Sequence, residues 1–266
     1  MYKYRKRFKS EKIMSEVEYY QKQHPMAEGY FIIDSLDKNG NVIDHFESGN
    51  MIVTTARKSM AEIFFKSQCK YAHKLVLGTQ GCKDSSKFKA KDESDGLVKE
   101  RTHIFSEIPS AIYSYGTMLE NVMKGDVFAL SDGIYVKYYR APNDYETVAL
   151  TDEELMTWTE VEAPYTYELE FALTGVDSTM YDNLCTSGRN DIVKAEQKDT
   201  SVIFTFYIDM DNGNGQHGKS DDYDVPTTLF NEAGLYVNDR LFAMRTFPSK
   251  TKDESVKLRV IWTITF

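Results

Sequence analysis

The sequence has little cysteine, three residues in 266, and Cys69, Cys82 and Cys185 include no C-x-x-C pair. An odd number at wide spacing argues against a disulfide framework, and reduced thiols suit a chain folded in a cytoplasm. Cys69, His73 and Cys82 lack a fourth ligand at a spacing that a structural zinc site needs, so no metal is expected there. No apolar run approaches the roughly 18 residues that span a membrane. The N-terminus is basic but lacks the apolar stretch of a signal peptide. Histidine is equally sparse. His24, His45, His73, His103 and His217 are scattered with no spacing that unites them. There is no G-x-S-x-G elbow and no H-E-x-x-H pair. Six prolines and fifteen glycines supply turns without gathering into a linker.

What is plentiful is aromatic. Eighteen Tyr and fifteen Phe favour strands, because rings pack well on a pleated surface. At 41% hydrophobic and 27% charged the composition is globular. The net charge of −9 is unevenly placed: Lys3, Arg5, Lys6, Arg7, Lys9 and Lys12 stand against Glu11 in the first twelve residues. The rest of the chain is strongly acidic, which argues against a nucleic-acid-binding body. Only the basic arm at 3–12 could touch nucleic acid, and its plainer reading is a solvated or partner-docking tail.

Along the chain, residues 1–27 read as the basic arm and a short helix over Ser10 to Gln23, stopped by Pro25. Residues 28–266 read as one β-rich domain, with room for an insertion or subdomain within 100–227. YFIIDSL and VIDHFE form a hairpin through Asn39-Gly40. Asn50 to Lys66 is expected to hold one packed helix, since Ala56, Met60, Ile63 and Phe64 recur at helical spacing and Thr54 or Thr55 can cap it. KLVLGT (74–79) is a buried strand, and the polar stretch 80–95 a surface loop. Further strands are expected at 126–130, 133–140, 165–174, 201–210, 228–237, 240–247 and 256–266, with a short helix at 151–158. That many short alternating strands predicts a mainly β fold, an antiparallel β-sandwich or related barrel. The final segment places Val256, Leu258, Val260, Trp262, Ile264 and Phe266 on one face.

GNGQHGKS (213–220) matches G-x-x-x-x-G-K-[ST], the phosphate-binding loop. The mechanism of that loop needs a parallel strand before it and a helix after it. Here DDYDVPTT follows, with Pro226 and three aspartates, so the match is read as accidental and Lys219 as a loop residue. Asp209, Asp211 and Gly213 begin like a calcium loop, but Asn214 stands where glycine belongs and Ser220 where the bidentate Glu belongs. A divalent ion among Asp209, Asp211, Asp221 and Asp222 is the remaining metal candidate, against a solvated acidic loop. The aromatic runs YVKYY (135–139) and YTYELEF (165–171), with Tyr138 and Tyr167, could stack on sugars; strand packing explains them equally. No catalytic residue and no cofactor are assigned.

Two blocks carry a resemblance. One is SGNMIVTTARKSMAEIFF (48–65) with LVLGTQG (75–81) and LVKER (97–101); the other is TLFNEAGLYVNDRLFAMRTFPSKTKDESVKLRVIWTITF (228–266). Together they resemble structural proteins of tailed bacteriophages, of the tail, baseplate, neck and fibre-attachment group. In that group a helix start of the form N-x-[IV]-[TV]-x-x-[GA]-R precedes a G-T strand, and N-E-x-G-L and W-x-I-x-F strands close the chain. Ala56 stands where glycine is commoner. The resemblance covers about 75 residues and implies a non-enzymatic virion component, made in the host cytoplasm. It further implies assembly with copies of itself, as a ring or trimer, and with other virion proteins. A head fibre or capsid-decorating protein is the alternative within the class, and a host-glycan-binding module the alternative outside it. Arg57, Asn231, Glu232, Arg245 and Lys250, polar groups beside apolar segments, read as structural hydrogen-bond anchors.

Overall fold

Alternation of apolar and polar residues is converted into one long antiparallel sheet. The computed structural model describes residues 27–57, 59–60, 71–83, 88–107, 111–173, 193–214 and 227–266. Its strands are β1 (Glu28–Leu36), β2 (Val42–Ile52), β3 (Tyr71–Gly78), β4 (Ile112–Ser114), β5 (Met118–Val122), β6 (Val127–Ser131), β7 (Val136–Arg140) and β8 (Tyr145–Ala149). They continue as β9 (Thr159–Val161), β10 (Thr166–Leu173), β11 (Val193–Lys198), β12 (Ser201–Ile208), β13 (Thr228–Val237), β14 (Arg240–Lys252) and β15 (Lys257–Thr265). Nine of them form a sheet in the order β10-β3-β13-β14-β2-β1-β15-β12-β11.

The sheet curls on itself. Its two halves are joined by only two residue pairs between β14 and β2, Ala243 with Ile52 and Met244 with Met51. On the inner side His73 of β3 meets Phe204 of β12 at 6.4 Å between ring centres, although β3 and β12 stand six strands apart in the order. Phe31 packs edge-on to Trp262 at 5.0 Å and stacks on Phe247 at 5.5 Å. A single core therefore draws on both halves, a mainly β, antiparallel arrangement intermediate between a sandwich and an open half-barrel.

Local chemistry explains the turns. Asp37 accepts hydrogen bonds from the N–H groups of Asn39 and Asn41 at 2.8 and 2.9 Å, and Gly40 takes φ +83°, closing the β1–β2 hairpin. Asn238 and Asp239, both at positive φ, make the two-residue link from β13 to β14 that a twisted hairpin favours. In β15, Leu258, Val260, Trp262 and Ile264 are buried between β1 and β12, while Phe266 is 54% exposed and lies beyond the strand.

Several expectations need correction. Asn50, Met51 and Ile52 belong to β2 rather than to a helix, because Asn50 pairs with Gly29 and the next two residues pair with β14. Helix starts at Ala56, and the Thr55 hydroxyl donates to the Leu241 carbonyl at 2.6 Å, which ties the chain to β14. Ala56 and Met60 are buried in the main core. The remainder of that expected helix, the N-terminal helix and the arm lie outside the described residues. Within the polar stretch 80–95, Lys91 is buried rather than surface-exposed. The turn at 151–158 is one helical turn, Asp152–Leu155, with the Thr151 side chain accepting from the Glu154 N–H. Among the described residues, no helix is long and apolar enough to cross a membrane.

Residues 111–165 build a smaller β unit with its own core. β4, β6, β7 and β9 form one sheet, β5 and β8 a second, and β4 runs parallel to β6. Leu119, Leu130, Val148, Leu155 and Trp158 are buried between them.

Candidate functional site

Four places gather polar or exposed apolar groups of interest. The first is the seam between β3 and β13. Asn231 and Glu232 are fully buried in the middle of β13, where a bulge in the β13–β14 register admits them. Asn231 Oδ1 accepts the Gly81 N–H at 2.6 Å, and its Nδ2 donates to the Thr79 carbonyl at 3.0 Å. Glu232 accepts the Phe105 N–H at 2.9 Å and the Ser106 hydroxyl. Ser106 Oγ in turn accepts the N–H groups of Thr79 and Gln80 at 2.7 and 2.8 Å. Two side chains thus satisfy the backbone where β3 ends, a place with no ladder partner. Close approach requires glycine here: a Cβ on Gly78 would stand 2.7 Å from Glu232 Oε1, and one on Gly81 2.3 Å from the Asn231 carbonyl oxygen.

Beside this seam lies a group of cations. Arg101, fully buried, donates to Asp126 Oδ1 at 2.5 Å and to the carbonyls of His103 and Lys124. His103 Nε2 is 3.2 Å from the same carboxylate oxygen. Burial alone would raise the Asp126 carboxyl, but the His103 hydrogen bond and the Arg101 charge outweigh it and hold it below the usual carboxylate range. Lys91 and Arg101 both lie over the Phe105 ring, at 3.8 and 3.9 Å. Burial, reinforced by Arg140 and Arg101 and opposed by Glu232, holds the Lys91 ammonium well below the ordinary lysine range. Arg140 reaches from β7 to Gln80 Oε1 at 2.5 Å and to the Cys82 carbonyl at 3.2 Å. These contacts fasten the small β unit to the large sheet.

The third place is the acidic loop after β12. Lys252, fully buried at the end of β14, donates to the Met210 carbonyl, to Asn214 Oδ1 and to the Asp253 carbonyl at 3.0, 2.5 and 2.8 Å. Asp209 pairs with Lys257 at 2.6 Å. Side-chain ammonium groups therefore neutralise the described part of the loop from within. Asp221 and Asp222 lie outside the described residues, as do Lys219 and all of the phosphate-loop match after Asn214. The strand before that match, β12, is antiparallel to both its neighbours, unlike the parallel strand of a phosphate loop.

The fourth is a cleft of about 370 Å³ at the open end of β1 and β2. Met51, Ile52, Val53 and Met60 line its apolar part, and Glu28, Asn50, Thr54, Arg57 and Lys99 its polar part. Apart from these four, the β6–β7 turn of the smaller β unit exposes Ile134 (80%) and Tyr135 (69%).

The other singled-out residues do not converge. His45 pairs with Asp34 at 2.6 Å on the outer face of the sheet, while His73 is buried against Phe204. His24 and His217 are outside the described residues. Cys82 is buried, with Sγ 3.7 Å from Ser249 Oγ; Cys69 and Cys185 are outside. Lys250 pairs with Asp44 at 2.6 Å. Arg245 is not a hydrogen-bond anchor through its Nε, which is buried without a partner; its guanidinium lies 6.0 Å from the Phe46 ring centre, and burial lowers its pKa. Tyr138 is half-buried on β7, and Tyr167 packs against the main core on β10, so the two do not form one stacking platform. Among the described residues no group of three His, Cys, Asp or Glu could hold a metal. Asn231 and Glu232 were legible as polar residues inside an apolar run. Arg101, Asp126 and Lys252 were not, because a lone charge beside a strand reads as surface. Comparison with protein-family models, with curated proteins and with solved structures finds no match to this chain.

Proposed function

We propose that the chain is a non-enzymatic structural component of a tailed-phage virion, of the tail, baseplate or neck, that assembles with copies of itself. In this reading the helical turn that starts at Ala56 packs on the sandwich through Ala56 and Met60. One observation carries it: the two sequence blocks of the resemblance meet in space through their own motif residues. Asn231 of the later block binds Gly81 and Thr79 of the earlier one. With its amide orientation assigned by hydrogen bonding, Asn50 of the earlier block donates through its nitrogen to the Gly29 carbonyl at 3.0 Å and accepts the indole N–H of Trp262 in the later one. Motif residues that satisfy the backbone and brace strands hold a shape, which is what a virion building block has to do. The test is mass spectrometry of gradient-purified particles of the phage whose genome encodes the chain. Stoichiometric recovery of its peptides is expected; recovery only from the unassembled lysate fraction overturns the reading.

A further inference from the structure

The β6–β7 turn is built to stay rigid while it exposes apolar groups. Asp132 Oδ1 accepts the N–H groups of Ile134 and Tyr135, both at 2.8 Å, and the Asp132 N–H donates to the Tyr135 carbonyl at 3.2 Å. Ile134 and Tyr135 are nonetheless among the most exposed large apolar side chains of the fold, with Tyr115 (45%) nearby at the end of the paired strand β4. An aromatic and an aliphatic anchor on a pre-organised turn is the form taken by interface hot spots, since little ordering entropy remains to be lost. The turn also carries negative charge. Asp132 is held ionised by those two backbone N–H groups, and residues 111–165 contain ten acidic side chains against three basic ones.

The cleft at the open end of β1 and β2 has the complementary properties. Met51, Ile52, Val53 and Met60 give its volume of about 370 Å³ an apolar part, Asn50 and Thr54 add polar groups, and its exposed rim carries the cations Arg57 and Lys99 against the single carboxylate of Glu28. We propose that the Ile134–Tyr135 turn of one copy seats in the Met51–Met60 cleft of the next, with Asp132 facing Arg57 and Lys99. The turn and the cleft are different patches, so the contact is head-to-tail. A pair joined in this way keeps a free cleft on one copy and a free turn on the other, and such a contact propagates into a ring or a filament. This rests on the assembly reading above, but it concerns the chain alone.

The experiment is sedimentation velocity on the purified full-length chain and two variants at exposed positions, Ile134→Asp in the turn and Thr54→Trp on the cleft rim. The unmodified chain is expected to form oligomers whose size grows with concentration, and each variant to associate at least tenfold more weakly. An equimolar mixture of the two variants retains one intact turn and one intact cleft, so it should form 1:1 dimers and nothing larger. Circular dichroism checks that each variant is folded, and Lys99→Glu replaces Thr54→Trp if the latter is not. A chain that is monomeric throughout, oligomers indifferent to both variants, or a mixture without dimers each overturns the proposal. Oligomers that behave as expected from a chain missing in purified virions would sink the virion reading and leave this contact standing.

Discussion

The ammonium of Lys252 lies 3.0 Å from the carbonyl oxygen of Met210, so a side chain of β14 holds the loop that follows β12. Burial pushes that ammonium down to about 8, against the opposing charges of Asp253, Asp211 and Asp209. Lys252→Met keeps the length of the side chain and leaves three oxygens without their donor. We expect it to cost about 2–4 kcal/mol in urea unfolding. The folded chain binds this proton more weakly than the unfolded chain, whose lysine titrates near 10.5. Stability should therefore rise between about pH 8 and 10.5 in the parent chain, and that rise should shrink in Lys252→Met. Equal pH slopes for the two proteins would refute the assignment.

Glu232 is expected to be intolerant for a different reason. Glu232→Ala strands the Phe105 N–H and the Ser106 hydroxyl in a fully buried place, at a cost of about 2–5 kcal/mol. Glu232→Gln keeps the volume but turns one acceptor into a donor, and we expect roughly half that loss. Calorimetric midpoints within error of the parent for both variants would show that the seam is not structural.

The pair His45–Asp34 sets a pH dependence. The hydrogen bond to Asp34 raises the His45 pKa above its ordinary value of 6.5, with burial opposing. A group whose folded pKa is raised contributes stability in full below about pH 6.5 and loses it as pH rises through the folded value. The difference in melting temperature between the parent and His45→Ala should be largest near pH 5.5 and vanish by about pH 9. A histidine resonance titrating at or below 6.5 would contradict this.

Trp262 and Phe266 separate burial from mere sequence pattern. Both fall on the same alternating face, yet Trp262 is fully buried and Phe266 is 54% exposed. Trp262→Ala should cost about 3–5 kcal/mol, and Phe266→Ala no more than about 0.5 kcal/mol. Comparable losses for the two in chemical denaturation would mean that the end of β15 is covered in solution.

The same contrast shows how far the sequence could be read. The β1–β2 hairpin, β13 and β15 were legible because Asn-Gly and Asn-Asp turns bracket runs whose alternation matches one buried face. Strands β4, β5, β8, β9 and β11 were missed, because segments such as TEV (159–161) and VKAEQK (193–198) have no internal pattern strong enough to announce a strand. They are extended because a neighbouring strand offers its hydrogen bonds. Of the buried polar groups, Asn231 and Glu232 stood out against Leu and Phe. The Arg101–Asp126 pair spans 25 residues and is visible only once Gly125 has brought its loop under Phe105.

Strand β1 lies between β2 and β15, paired along its whole length with the final strand, Glu28 opposite Thr265. A ribosome delivers these two partners far apart in time, with β2 to β14 made between them. While the intervening segments are being made, the β1–β2 hairpin waits with the whole edge of β1 unpaired and with Phe31 and Ile33 bare of Trp262 and Val260. Such an edge invites a neighbouring nascent chain, and the long sequence separation makes closure slow. The half-sheet can be completed only after β15 clears the exit tunnel. Low temperature and a slow rate of initiation, which keep nascent chains apart, should therefore raise the yield of folded protein more than any surface substitution.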